Sequence, residues 1–121
     1  MTTSNSTGYM SLVTAAAIAE GQRVKITAAG LYDVATSGDV AVGVATMAAA
    51  SGGLCTAKLW SAPGTFICRA GGAITAGTRV FPITAGNVLA TGTTALNLVA
   101  KDAAAASGDL IECLPCQVGA A

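Results

Sequence analysis

Cysteine offers the first chemistry in this sequence. Cys113-Leu114-Pro115-Cys116 is a C-x-x-C, and Cys55 and Cys68 stand far upstream. A zinc ribbon needs two such pairs, and the step from Cys55 to Cys68 is not one. A thioredoxin-like pair needs its cysteines at a helix start in a βαβ unit, and no such pattern surrounds these. Reduced cysteine packs as a small hydrophobe, so these residues read as buried free thiols.

The carboxylates carry no paired acid and base. Asp33 and Asp39 flank one turn, and Asp109 sits in a Ser-Gly-Asp turn, where aspartate caps backbone N–H groups. Histidine is absent, which removes the commonest general base, metal ligand and pH switch together. Gly52-Gly53-Leu54-Cys55-Thr56-Ala57-Lys58 superficially resembles a phosphate loop. No glycine precedes its lysine, and no Ser or Thr follows it. No catalytic, cofactor-binding or metal-binding residue is therefore expected, and the chain reads as a non-enzyme.

The elements that position these residues come from a repeat. Ala17 to Lys58 aligns without a gap on Ala73 to Leu114, at a constant spacing of 56 residues. The matches include Ile18/Ile74, Gly21/Gly77, Arg23/Arg79, Val24/Val80, Gly30/Gly86, Gly52/Gly108 and Leu54/Leu110, with several alanines between. The alanine matches weigh little in so alanine-rich a chain. The glycines recur at turn positions and the valine and leucine at strand positions. Two units are too few for a solenoid, so one domain of two similar halves is expected.

Within each half the pattern is β. Arg23 to Thr27 alternates polar and apolar, Leu31 to Ala35 returns, and Val40 to Ala45 reads as a buried strand. Met47 to Gly53 is too short for a stable helix and ends on two glycines. Leu54 to Trp60 is a further strand. Ser61-Ala62-Pro63-Gly64 is a turn, and Thr65 to Cys68 is strand-like but outside both repeats. Arg79 to Ile83, Asn87 to Ala90, Ala95 to Ala100 and Asp109 to Leu114 repeat the plan, with Pro82 marking an edge or bulge. The fold class is all-β: a small β-barrel or sandwich made of two similar halves. Trp60 and Phe66 read as core between the halves, or else as an exposed subunit contact.

Residues 1–16 read as a flexible N-terminal arm, and 17–121 as a single β domain. The arm either packs on its own domain or orders on a partner. Met10 to Ala19 has the small apolar character of a secretory segment but lacks a preceding basic residue. No apolar run approaches membrane-spanning length, so no membrane partner is expected. The charge is zero from six basic and six acidic residues, and only 10% of the chain is charged. The basic residues are scattered, which argues against nucleic acid. A near-neutral surface of small residues favours association with other proteins.

The patterns Gly21-x-Arg-Val, Val42-Gly-Val-Ala, Ala50-Ser-Gly-Gly-Leu, Leu59-Trp, Gly64-Thr-Phe and Ala106-Ser-Gly-Asp-Leu-Ile resemble those of tailed-phage capsid decoration (cement) proteins. The likeness spans residues 17–115. It extends to lambda-like decoration proteins and to small phage and prophage proteins often labelled recombinases. The resemblance implies a β-rich homotrimer on the exterior of the virion capsid, at three-fold positions, clamping major capsid protein subunits. It also implies a capsid-contacting N-terminal segment, here Thr2, Thr3, Ser4, Asn5, Tyr9, Met10 and Leu12. Loss of residues 2–12 is then expected to weaken capsid binding and leave folding unchanged. Another virion part, such as a spike base or tail component, is the first alternative, and a small histidine-free enzyme the second.

One expectation concerns the thiols directly. All four cysteines should react with a thiol reagent on unfolding without prior reduction; a protected pair would reveal a disulfide or a bound metal.

Overall fold

A computed structural model describes residues 7–92 and 96–116. Ten short strands follow one another, with one 3-10 turn at Thr84–Gly86 and no α-helix among the described residues. The first five are β1 (Tyr9–Val13), β2 (Arg23–Ile26), β3 (Tyr32–Val34), β4 (Gly43–Ala45) and β5 (Leu54–Leu59). They form one antiparallel sheet in the order β1-β5-β4-β2-β3. A parallel bridge from Thr14 to Tyr32 ties the two edges together, so the sheet curls into a small barrel.

The second five are β6 (Phe66–Arg69), β7 (Phe81–Pro82), β8 (Val88–Leu89), β9 (Leu98–Ala100) and β10 (Leu110–Pro115). They retrace the same path. β6 pairs β10, β10 pairs β9, and β7 pairs β8. The Arg79–Val99 bridge stands in for the β2–β4 ladder, and a parallel Ala70–Val88 bridge closes the unit as Thr14–Tyr32 closes the first.

The repeat is larger than the sequence match. Met10 faces Ala57 and Val13 faces Leu54, while Phe66 faces Cys113 and Arg69 faces Leu110, all at the 56-residue spacing. β6 is therefore the first strand of the second unit, where the sequence placed it in neither repeat. Its counterpart in the first unit is β1. The turns explain the glycine matches: Gly21 and Gly77 both have φ +84°, and Gly30/Gly86 and Gly52/Gly108 are also pairs with positive φ. Side chains with a Cβ rarely adopt that region.

The alignment is not gap-free. Val44 faces Lys58 but Val99 faces Leu114, and Ile18 bridges Ala49 where Ile74 bridges Ala104. From β4 to that bridge the spacing is thus 55 residues. The connection into β9 is one residue shorter, and one extra alanine in the run Ala103–Ala106 restores the register. Identical alanine side chains carry no information about where such a gap lies.

Each unit has its own core. Ile18, Val24, Tyr32, Ala45, Cys55 and Ala57 fill the first. Ile74, Val80, Val88, Ala100, Ile111 and Cys113 occupy the same six positions in the second, joined by Phe66, Cys68 and Leu98. The large aromatic stands on β3 in one unit (Tyr32) and on β6 in the other (Phe66, in the place of Met10). Such exchanges conserve core volume at little cost.

Two sequence expectations change. Tyr9–Val13 is a paired strand, not part of a flexible arm: alternate residues of β1 are half-buried, Leu12 packs on the first core, and the Tyr32 hydroxyl donates to the Met10 carbonyl at 3.0 Å. Thr2, Thr3, Ser4 and Asn5 lie outside the described residues. Val40 is 84% exposed, because β4 begins only at Gly43. There the Lys58–Leu59 backbone would meet any Cβ.

Removing residues 2–12 should therefore destabilise the fold. Burial of Met10 and Leu12 contributes roughly 1.5–3 kcal/mol each when complete, and the Tyr32 hydroxyl would lose its acceptor. A fall of about 3 kcal/mol in unfolding free energy is expected, read as a lower urea midpoint. An unchanged midpoint would show that β1 adds nothing.

Candidate interaction surface

The joint between the units is the most specifically built polar site in the described chain. Its centre is Arg23, at the start of β2 and only 1% exposed. Its Nη2 donates to the Ala35 carbonyl at 3.2 Å within the first unit and to the Ile83 carbonyl at 2.7 Å in the second. Nε reaches the Asn87 carbonyl at 3.4 Å. Burial pushes the Arg23 pKa down, and Cys68 and Asp39 oppose that shift. A guanidinium stays charged under such a shift, so its donors must find acceptors.

Around it the contact is close and mostly made by main chain. Gln22 Nε2 donates to the Ala85 carbonyl at 2.8 Å. Gly86, at the tip of the β7–β8 turn, sits where a Cβ would strike Val34, Gln22 and the Arg23 carbonyl. On the other side, the Arg69 N–H donates to the Gly21 carbonyl at 2.9 Å and its Nε to the Glu20 carbonyl at 3.0 Å. A Cβ on Gly21 would lie 2.7 Å from Leu110. Val44 of the first unit joins the second unit's core.

Trp60 and Phe66 meet across the link between the units, edge to face with ring centroids 5.1 Å apart. Phe66 is buried and Trp60 half-buried, its Nε1 donating to the Ala41 carbonyl at 2.9 Å. Both line an open cleft of about 410 Å³ with Leu96, Leu98, Pro115 and Cys116. The Lys58 ammonium lies 4.8 Å over the Phe66 ring and donates to the Thr65 carbonyl. Beside it, the Thr65 hydroxyl donates to Glu112 at 2.6 Å, and Lys101 pairs with the same carboxylate at 3.1 Å. These two contacts hold Glu112 below the usual carboxylate range. A solvated pair of this kind contributes little to stability.

The cysteines are free thiols, three of them buried and Cys116 half-buried. The C-x-x-C runs along and off β10. Cys113 lies in the core, whereas the Cys116 N–H bonds the Asn97 carbonyl at the strand's end. Hydrogen bonding to Cys113, and then burial, raise the Cys68 thiol well above its ordinary pKa. Among the described residues no three His, Cys, Asp or Glu side chains cluster as a metal site.

The structure redistributes the predicted contact residues. Tyr9, Met10 and Leu12 are together, but as a strand against β5. Trp60 and Phe66 are together at the link. Sequence reasoning missed Arg23, which it read as the wet face of a strand. The available signal was its recurrence as Arg79 beside turn glycines.

No family model matches this chain, and no curated protein does. Among solved structures, the head fiber gp8.5 N base of bacteriophage phi29 has the same fold. It superposes with a TM-score of 0.70 at 14% identity, covering 87% of this chain and 90% of that one. Among the described residues no helix is long and apolar enough to cross a membrane.

Replacing Arg23 by methionine should loosen the joint. It would strand buried carbonyls of Ala35 and Ile83, at a cost of roughly 3 kcal/mol. Calorimetry should then show a lower Tm, or two transitions in place of one. An unchanged single transition would mean that apolar contacts alone hold the units together.

Proposed function

We propose that this chain is a structural protein of a phage virion that sits on the exterior of the capsid and holds neighbouring major capsid protein subunits, as a homotrimer at three-fold positions. The observation that carries the reading is the extent of the likeness to the phi29 head fiber base, which takes in nearly all of both chains. The residue patterns that resemble those of decoration proteins support the same reading. A chain with 10% charged residues and zero net charge suits extended contact with protein. The contact would fall on the β domain, since residues 9–13 are committed to β1.

A second reading has its own support. The similar structure is the base of a head fiber, so this chain would anchor an appendage instead of cementing the shell. The two readings predict different effects on the shell.

Purified protein should co-sediment with heads of its phage at a fixed stoichiometry, three copies per three-fold position. For a cement protein, bound heads should also survive heating or chelation that bursts bare heads. Binding without added resistance supports the fiber-base reading, and absence of binding overturns both.

A further inference from the structure

We infer that copies of this chain join head to tail, the free end of the second unit docking on the free end of the first unit of the next copy, through the same contact that joins the two units within a chain. The inference supplies the contact that the proposed homotrimer needs, and rests on that reading for its partner, a second copy. It does not depend on a capsid.

Within the chain, one face of unit one (Glu20 to Arg23, and Val34) meets one face of unit two (Arg69, Leu110 and the turn from Ile83 to Asn87). Duplication gives each unit both faces, so two remain over. Unit two keeps Ala76 to Arg79. Unit one keeps Val13, Leu54 and the turn from Thr27 to Leu31.

Both leftover faces look like halves of the same joint. Gly21 and Gly86 are crowded in the joint, whereas their equivalents Gly77 and Gly30 open on empty space, also at positive φ. Arg23 Nε and Nη2 reach three carbonyls, whereas Arg79 Nε is buried without an acceptor among the described residues. Docking as in the joint, with the Arg79 side chain turned away from the Phe81 ring, would bring it the carbonyls of Thr27 and Leu31, the counterparts of Ile83 and Asn87. Val13 and Leu54 face each other across β1 and β5, 44% and 61% exposed. Their counterparts Arg69 and Leu110 touch the Gly21 turn, although Leu110 stays 42% exposed there.

Four features, two bare glycine turns, one orphaned guanidinium nitrogen and one apolar pair, thus fall on two faces that are complementary by construction. Each face meets a different face, so the contact is heterologous and closes into a ring or extends as a filament. A buried donor without an acceptor is costly, and copy-to-copy docking removes that cost.

The test uses the full chain with Cys116→Ser. Wild-type protein should sediment as a closed oligomer. Leu54→Asp should weaken assembly about tenfold, since it replaces the apolar contact that Leu110 makes with the Gly21 turn in the joint. The monomer should keep its circular dichroism and Tm, because Leu54 is exposed there. The double variant Val13→Cys, Ala76→Cys should oxidise to chains of covalent oligomers, while neither single variant cross-links. Cross-linking by Val13→Cys alone would show a two-fold contact and overturn the inference, as would a wild-type monomer at all concentrations. An oligomer that forms as described but ignores phage heads would sink the capsid reading and leave this one standing.

Discussion

A buried cation holds the molecule together. Arg23 is almost wholly removed from water, and its guanidinium must be met by acceptors wherever it lies. The first unit supplies one carbonyl, from Ala35, and the second supplies those of Ile83 and Asn87. Neither unit alone satisfies the charge. Two small barrels, each with a core of modest size, are thereby fixed in one relative orientation. Apolar contact by itself is non-directional and would not select that orientation so narrowly. The planar fork of arginine does, because its donors point along fixed directions.

That constraint explains where the two units differ. Positions inside the barrels stay equivalent and apolar, with swaps such as Tyr32 for Val88 and Met10 for Phe66. Positions at the joint diverge in environment although their residues repeat. Gly21 and Gly77 share a backbone conformation, yet only Gly21 is packed. Arg23 and Arg79 share a residue type, yet only Arg23 spans the two units. Arg79 instead lies 5.7 Å from the Phe81 ring. Chemistry is repeated and surroundings are not, as expected of one joint made from two copies of each face.

The main-chain character of the joint bears on how the protein presents itself. Glycine turns and carbonyls do most of the touching, and long charged side chains are few. A chain with 10% charged residues has little else to offer a partner. Shape and backbone hydrogen bonds carry the contact between the units, as in assemblies built from sheet edges and turns. The phi29 head fiber base has this fold at 14% identity, so the architecture tolerates nearly complete change of side chains.

Period-two alternation and turn glycines determined from sequence alone that the chain is all-β and doubled, because both are local signals with a direct steric cause. The absence of histidine determined that acid–base and metal chemistry had few residues to use. Tertiary structure decided the rest. The place of the first strand in each unit was hidden, since Tyr9–Val13 and Phe66–Arg69 share no residue identity, only the same partner positions on β5 and β10. The one-residue slip was hidden in alanines that look alike. Arg23 looked like a solvated residue on a wet face, because alternation records that a side chain leaves one barrel and cannot record that it enters the contact with another. Which face of a strand is buried depends on what packs there, and packing between distant segments is fixed only in three dimensions.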